Sequence, residues 1–152
     1  MFNIKNIVVP TDFSKLSKSA LDYARDLAER MEATIHLIYV LEKSPPFLVT
    51  KGLHEAEETI MKSMAEEALK HLNEISAELR EDSFINVLSV LLHGLDYEEI
   101  VNYAKEFEAD LIVIATHGRT GVLHNLLGSV AENVIRYAKC PILVINPSDE
   151  DA

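Results

Sequence analysis

The sequence predicts an α/β fold: a doubly wound parallel sheet of five strands with helices on both faces. Three observations carry that expectation. Short, mostly apolar runs rich in β-formers recur five times along the 152 residues. Segments with apolar residues at helical spacing separate each run from the next. No linker, composition break or internal repeat divides the chain. Strands apolar on both faces, alternating with helices, mark a parallel sheet joined by right-handed crossovers.

Taken in order, Ile4–Val9 is the first strand, ending at Pro10-Thr11-Asp12. Ser14 or Ser17 can cap the helix that follows. Its apolar face comprises Ala20, Leu21, Ala24, Leu27, Ala28 and Met31. Thr34–Val40 is the second strand. Leu41–Gly52 contains Pro45-Pro46 and reads as a loop. A long helix, roughly Glu55–Leu79, turns Met61, Met64, Ala65, Ala68, Leu72, Ile75 and Leu79 inward. The two methionines read as core filler, and the Glu and Lys residues as a solvated face. Ile85–Leu92 is the third strand, ending at His93-Gly94. Asp96 then caps a helix, Tyr97–Phe107, which buries Ile100, Val101, Ala104 and Phe107. Asp110–Ala115 is the fourth strand. The last helix, Ser129–Ala138, buries Val130, Val134, Ile135 and Ala138, and Pro141–Ile145 is the fifth strand. Residues 1–146 are expected to form one domain, and 147–152 a short acidic tail.

Composition narrows the function. Apolar residues make up 48% of the chain, with 5 Gly and 5 Pro, which favours a packed globule over disorder. No apolar run approaches the roughly 18 residues a membrane span needs. The N-terminus lacks a signal-type segment, so a cytoplasmic location is expected. The single cysteine, Cys140, excludes an intrachain disulfide and a Cys-cluster zinc site. With 25 Asp and Glu against 14 Lys and Arg, the net charge is −11, and nucleic-acid partners are excluded for want of a basic face. A small anion must then be held by local amide dipoles.

One stretch stands apart. Between the fourth strand and the last helix, Thr116–Leu127 forms a glycine-bearing connection longer than the usual 2–6 or so residues of such turns. Gly118 can bring its amide close to a phosphate. Gly128, Ser129 and Val130 open a helix, where free amides and the helix dipole favour an anion. Arg119 can reach a terminal phosphate. In a doubly wound sheet, ligands bind beyond the carboxyl ends of the strands, where the winding reverses. The ends of strands one, two and four are therefore the places to look. Asp12 there can accept from ribose hydroxyls or cap the next turn, and Tyr39-Val40 offers apolar surface to a base.

The stretch ATHGRTGVLHNLLGSVAENVIRYAKCPILVI and the opening NIVVPTDFSKLSKSALDYA together resemble the signatures of the universal stress protein family. The resemblance covers essentially the whole chain. It implies a Rossmann-like, five-stranded sheet of order 3-2-1-4-5. One branch of the family binds ATP through G-x2-G-x9-G-(S/T), whose last three positions fall here on Gly118, Gly128 and Ser129, while Ala115 stands at the first glycine position. The resemblance implies that Pro10, Thr11, Asp12 and Val40 surround adenine and ribose, with Ile114 beside the base. Gly118, Arg119, Gly128, Ser129 and Val130 hold the phosphates, and His117 lies inside the motif. The implied ligand is ATP, or ADP or AMP, with Mg as an accompanying ion.

Chemistry beyond binding is sparse. The chain has no Walker A lysine motif, no HExxH and no catalytic triad, so the expectation is at most a slow ATPase. A phosphoacceptor receiver domain fails because the third strand ends at His93-Gly94, and a flavodoxin-like carrier fails because PTDFSKLS has no glycine. The competing reading is an interaction or scaffold protein of this fold that binds no nucleotide. In the implied order Ile142–Ile145 is an apolar edge strand, which predicts a homodimer through it.

Overall fold

A computed structural model of the chain describes residues 3–43, 54–116 and 127–146, with the backbone alone for His54 and Glu55. These residues form strands β1 (Asn6–Pro10), β2 (Thr34–Leu41), β3 (Asn86–His93), β4 (Leu111–Ala115) and β5 (Ile142–Ile145). Between them lie helices α1 (Lys15–Met31), α2 (His54–Arg80), α3 (Asp96–Glu106) and α4 (Ser129–Tyr137). The sheet is wholly parallel, in the order β3-β2-β1-β4-β5. Its register sets Val8 between His36 of β2 and Ile112 of β4.

Each face of the sheet has its own core. On one side Ile7, Val9, Ile35, Leu37 and Val113 meet Ala20, Ala24 and Ala28 of α1 and Leu72 and Leu79 of α2. On the other, Val8, Ile38, Ile112 and Ile114 meet Ile100 and Ala104 of α3 and Ala131 and Val134 of α4. Alternate residues of each strand thus serve opposite cores, which is why the strands carry no polar face. The small alanines of α1 let that helix lie close to β1 and β4.

Several inward positions differ from expectation. Met31 is 39% exposed because it is the last residue of α1, and Phe107 is 45% exposed because it follows the end of α3. Ile135 also faces outward, one residue beyond the buried pair Ala131 and Val134 of the nine-residue α4. Tyr103 is buried in α3, completing an i, i+3, i+4 stripe with Ile100 and Ala104. Asp96 does not cap α3. It is the first helical residue, after Leu95, and its carboxylate accepts from the Tyr97 amide at 2.6 Å. Ser14 is the cap of α1, its hydroxyl accepting from the Ser17 amide at 3.2 Å.

The amino ends of the strands are closed by polar contacts. The Asp110 carboxylate accepts from the amides of Lys5 and Asn6, each at 2.8 Å, and the Asp110 amide donates to Asn6 O at 2.9 Å. His36, 4% exposed, bridges Tyr103 OH at 2.7 Å and Asn6 Oδ1 at 3.1 Å. Cys140 is half-buried beside the α3–α4 core, and burial pushes its thiol up, away from the reactive thiolate. No helix among the described residues is long and apolar enough to cross a membrane. The tail 147–152 and the Pro45-Pro46 segment lie outside the described residues.

Candidate functional site

The opposite, carboxyl end of the sheet opens into a cleft of about 590 Å³. It sits where the winding reverses between β1 and β4, the position at which doubly wound sheets bind ligands. Pro10, Thr11 and Asp12 form one wall, and Gly128, Ser129 and Val130 the other. Val40 at the end of β2 and Ile114 and Ala115 at the end of β4 also line it. Nine residues singled out in the sequence are thereby brought together. His117, Gly118 and Arg119 lie outside the described residues, as does His124.

The first wall is held by side chains. The Thr11 amide donates to Ile38 O at 2.8 Å, extending the β1–β2 pairing one residue past Pro10. The Thr11 hydroxyl is buried. It accepts from the Phe13 amide at 3.1 Å and lies 3.1 Å from the Ser17 hydroxyl. Ser17 spends its own hydrogen on Ser14 O at 2.8 Å, so Thr11 donates to Ser17. Thr11 therefore builds the turn, its hydroxyl engaged with Phe13 and Ser17. Asp12 Oδ1 accepts from the Ser14 amide at 2.9 Å, so the carboxylate both holds the turn and lines the cleft. An ionised carboxylate has about four lone-pair positions, enough for both tasks. Between these residues Phe13 adopts φ 65°, a left-handed conformation that costs an L-residue roughly 1–2 kcal/mol. Its ring stacks on Tyr39 at 4.5 Å between centroids and tilts against His71 of α2 at 5.1 Å.

The second wall hangs from β4. The Thr116 amide donates to Ile145 O at 3.0 Å, and the Gly128 amide donates to Thr116 O at 2.7 Å. The expectation of a free Gly128 amide is thus corrected: that N–H ties the start of α4 to the end of β4. The amides of Ser129 and Val130 precede the first intrahelical bond, from Glu132 N to Gly128 O at 2.9 Å. Among the described residues no side chain caps this end of the helix. Those two N–H groups, that of Ala131 beside them and the helix dipole are what the wall offers an anion. Ala115 takes part in the α1-side core, whereas Ile114 belongs to the α3–α4 side. The methyl at the glycine position thus packs with the α1-side core while Ala115 also lines the cleft.

Sequence reasoning missed Met64, which it assigned to the core. Met64 is 37% exposed and lines the cleft. The signal was helix length. A 27-residue helix spans about 40 Å, whereas the eight-residue strands β2 and β3 span about 26 Å. The C-terminal half of α2, through Leu72 and Leu79, packs on the sheet, so its earlier turns overhang the carboxyl ends. Glu42 and Asp96 also line the cleft, adding carboxylates beyond Asp12. No group of three or more His, Cys, Asp or Glu among the described residues is arranged to hold a metal ion.

Comparison with known proteins adds four findings. The sequence model of the universal stress protein family matches residues 3–146. Universal stress protein MJ0531 of Methanocaldococcus jannaschii is 39% identical over 142 residues, covering 93% of this chain and 81% of that protein. The structure of MJ0577, a universal stress protein of the same organism, matches with a TM-score of 0.85 at 31% identity, covering 97% of this chain and 99% of that one. A universal stress protein solved in complex with cAMP shares the fold, with a TM-score of 0.70 at 23% identity, covering 96% of this chain and 99% of that one.

Proposed function

The chain belongs to the universal stress protein family, and from that premise we propose that its cleft binds an adenine nucleotide, ATP foremost, as a nucleotide-dependent regulatory module. The observation that carries this reading is the convergence of Pro10–Asp12, Val40, Ile114 and Gly128–Val130 on one cleft at the switch point of the sheet. Val40 and Ile114 flank the base with apolar surface. Asp12 accepts from a ribose hydroxyl. The Ser129 and Val130 amides meet the phosphates, and Gly118 and Arg119 join them through the motif alone. Ala115, at the first glycine position of the motif, lines the cleft and also packs in the α1-side core.

Mg²⁺ fits as a counter-ion carried by the nucleotide's phosphates, offsetting their charge in a chain of net charge −11 whose cleft already holds Asp12, Glu42 and Asp96. The chemistry on offer is binding, with slow turnover of ATP at most. A cytoplasmic location and a homodimer through β5 complete the proposal.

Isothermal titration of the purified chain with ATP and Mg²⁺ tests it. Saturable binding is expected, and Gly128→Val is expected to abolish it while leaving the melting temperature close to that of the parent. Gly128 has φ −61° and ψ 150°, a conformation that valine adopts readily, so the new side chain crowds the cleft without straining the backbone. Absence of binding at millimolar ATP overturns the proposal in favour of an interaction protein that takes no nucleotide.

A further inference from the structure

Phe13 occupies a conformation that its residue type disfavours. A φ of 65° is ordinary for glycine and uncommon for any other residue, more so for a bulky one. Such a backbone persists only where its surroundings over-determine it. Two sets of contacts do so here. The Phe13 amide is tied to Thr11 Oγ1 at 3.1 Å, and its ring is held between Tyr39 of β2 and His71 of α2. The flanking bond from Ser14 N to Asp12 Oδ1, at 2.9 Å, orients the Asp12 carboxylate through the same turn. The Phe13 ring thus anchors to two separate elements a loop whose neighbouring carboxylate lines the cleft.

We infer that Phe13 is a positioning residue for ribose recognition: its left-handed backbone, pinned by the Tyr39–Phe13–His71 ring contacts, fixes the Asp12 carboxylate toward the sugar hydroxyls of a bound nucleotide. This rests on the nucleotide reading of the cleft and adds a determinant of sugar selectivity outside the cleft lining. A glycine at 13 permits the same φ without strain but removes the ring that holds it, so the turn remains possible and ceases to be fixed. The consequence falls on the discrimination between ribose and deoxyribose. Contacts to the base and phosphates come from other elements and are retained.

The test compares the affinities of the full chain for ATP and for 2′-deoxy-ATP, each with Mg²⁺, in the parent and in Phe13→Gly, Phe13→Leu and Phe13→Tyr. The parent is expected to prefer ATP by roughly tenfold, the order of one hydrogen bond to a charged acceptor. In Phe13→Gly and Phe13→Leu the preference is expected to fall to within about twofold, on the same scale. Phe13→Tyr, which keeps the stacked ring, restores it. Thermal melts of every variant accompany the titrations, because a merely structural Phe13 lowers stability and leaves the sugar preference unchanged. An undiminished preference in both Phe13→Gly and Phe13→Leu overturns the inference and leaves the nucleotide reading standing. Equal affinity of the parent for the two nucleotides does the same. A parent that binds neither overturns both.

Discussion

At Thr11 a single hydroxyl joins the end of β1, the turn at Phe13 and the first turn of α1 through Ser17. Removing it by the near-isosteric change Thr11→Val costs the part-buried Phe13 amide its acceptor and the buried Ser17 hydroxyl one partner. A loss of about 1–3 kcal/mol is expected, read as a lower urea midpoint with an unchanged slope. An unaltered midpoint would show that the turn is held by its backbone alone. PTDFS displays its polar residues, and the ends of β1 and β4 could be located from the apolar runs before them. Which side chain faces the cleft and which builds the turn depends on where Ser14 and Ser17 come to rest. Phe13 was wholly opaque, since no glycine or asparagine marks its positive φ. Ala115 was visible as a departure from the motif, but its packing against the α1 side becomes evident only once the strand register is known.

Among the elements, β2 and α3 are joined by a contact invisible to periodicity. His36 and Tyr103 lie 67 residues apart and meet at 2.7 Å. His36 reads as one more strand residue, and nothing local announces its partner. Nε2 donates to Asn6 Oδ1, which leaves Nδ1 to accept from the Tyr103 hydroxyl. Burial lowers the His36 pKa from its ordinary 6.5, and the fold holds the ring neutral. As the pH falls below about 6.5 the unfolded chain takes up a proton here that the folded chain refuses, so stability declines toward the lowered folded value. Chemical denaturation at about pH 7 and about pH 5 should show the parent losing more stability on acidification than His36→Gln does. Equal losses in the two proteins would remove His36 from the account. Both ends of α2 could be placed approximately from sequence, yet its overhang follows from comparing its length with that of the strands beside it.

For the whole molecule, β5 is the open edge next to the second wall of the cleft. Ile142, Leu143 and Val144 are only partly covered, and the strand carries no charge to discourage pairing. Pairing of β5 between two copies is therefore expected. Light scattering at micromolar concentration should report a dimer for the parent and a monomer for Val144→Glu, whereas a monomeric parent would refute edge pairing. The high negative charge weakens nonspecific association, against which the apolar edge of β5 supplies a local attraction.

The central place of β1 carries a consequence for how the chain acquires its shape. The Asp110 carboxylate clasps Lys5 across 105 residues, and β1 cannot complete its second pairing until β4 exists. Contacts so remote in sequence are costly to close and slow to form. A nascent chain emerging from the ribosome exposes β1 with one apolar edge unpaired through most of its synthesis. The two walls of the cleft, carried by the ends of β1 and β4, come together only once most of the chain has been made.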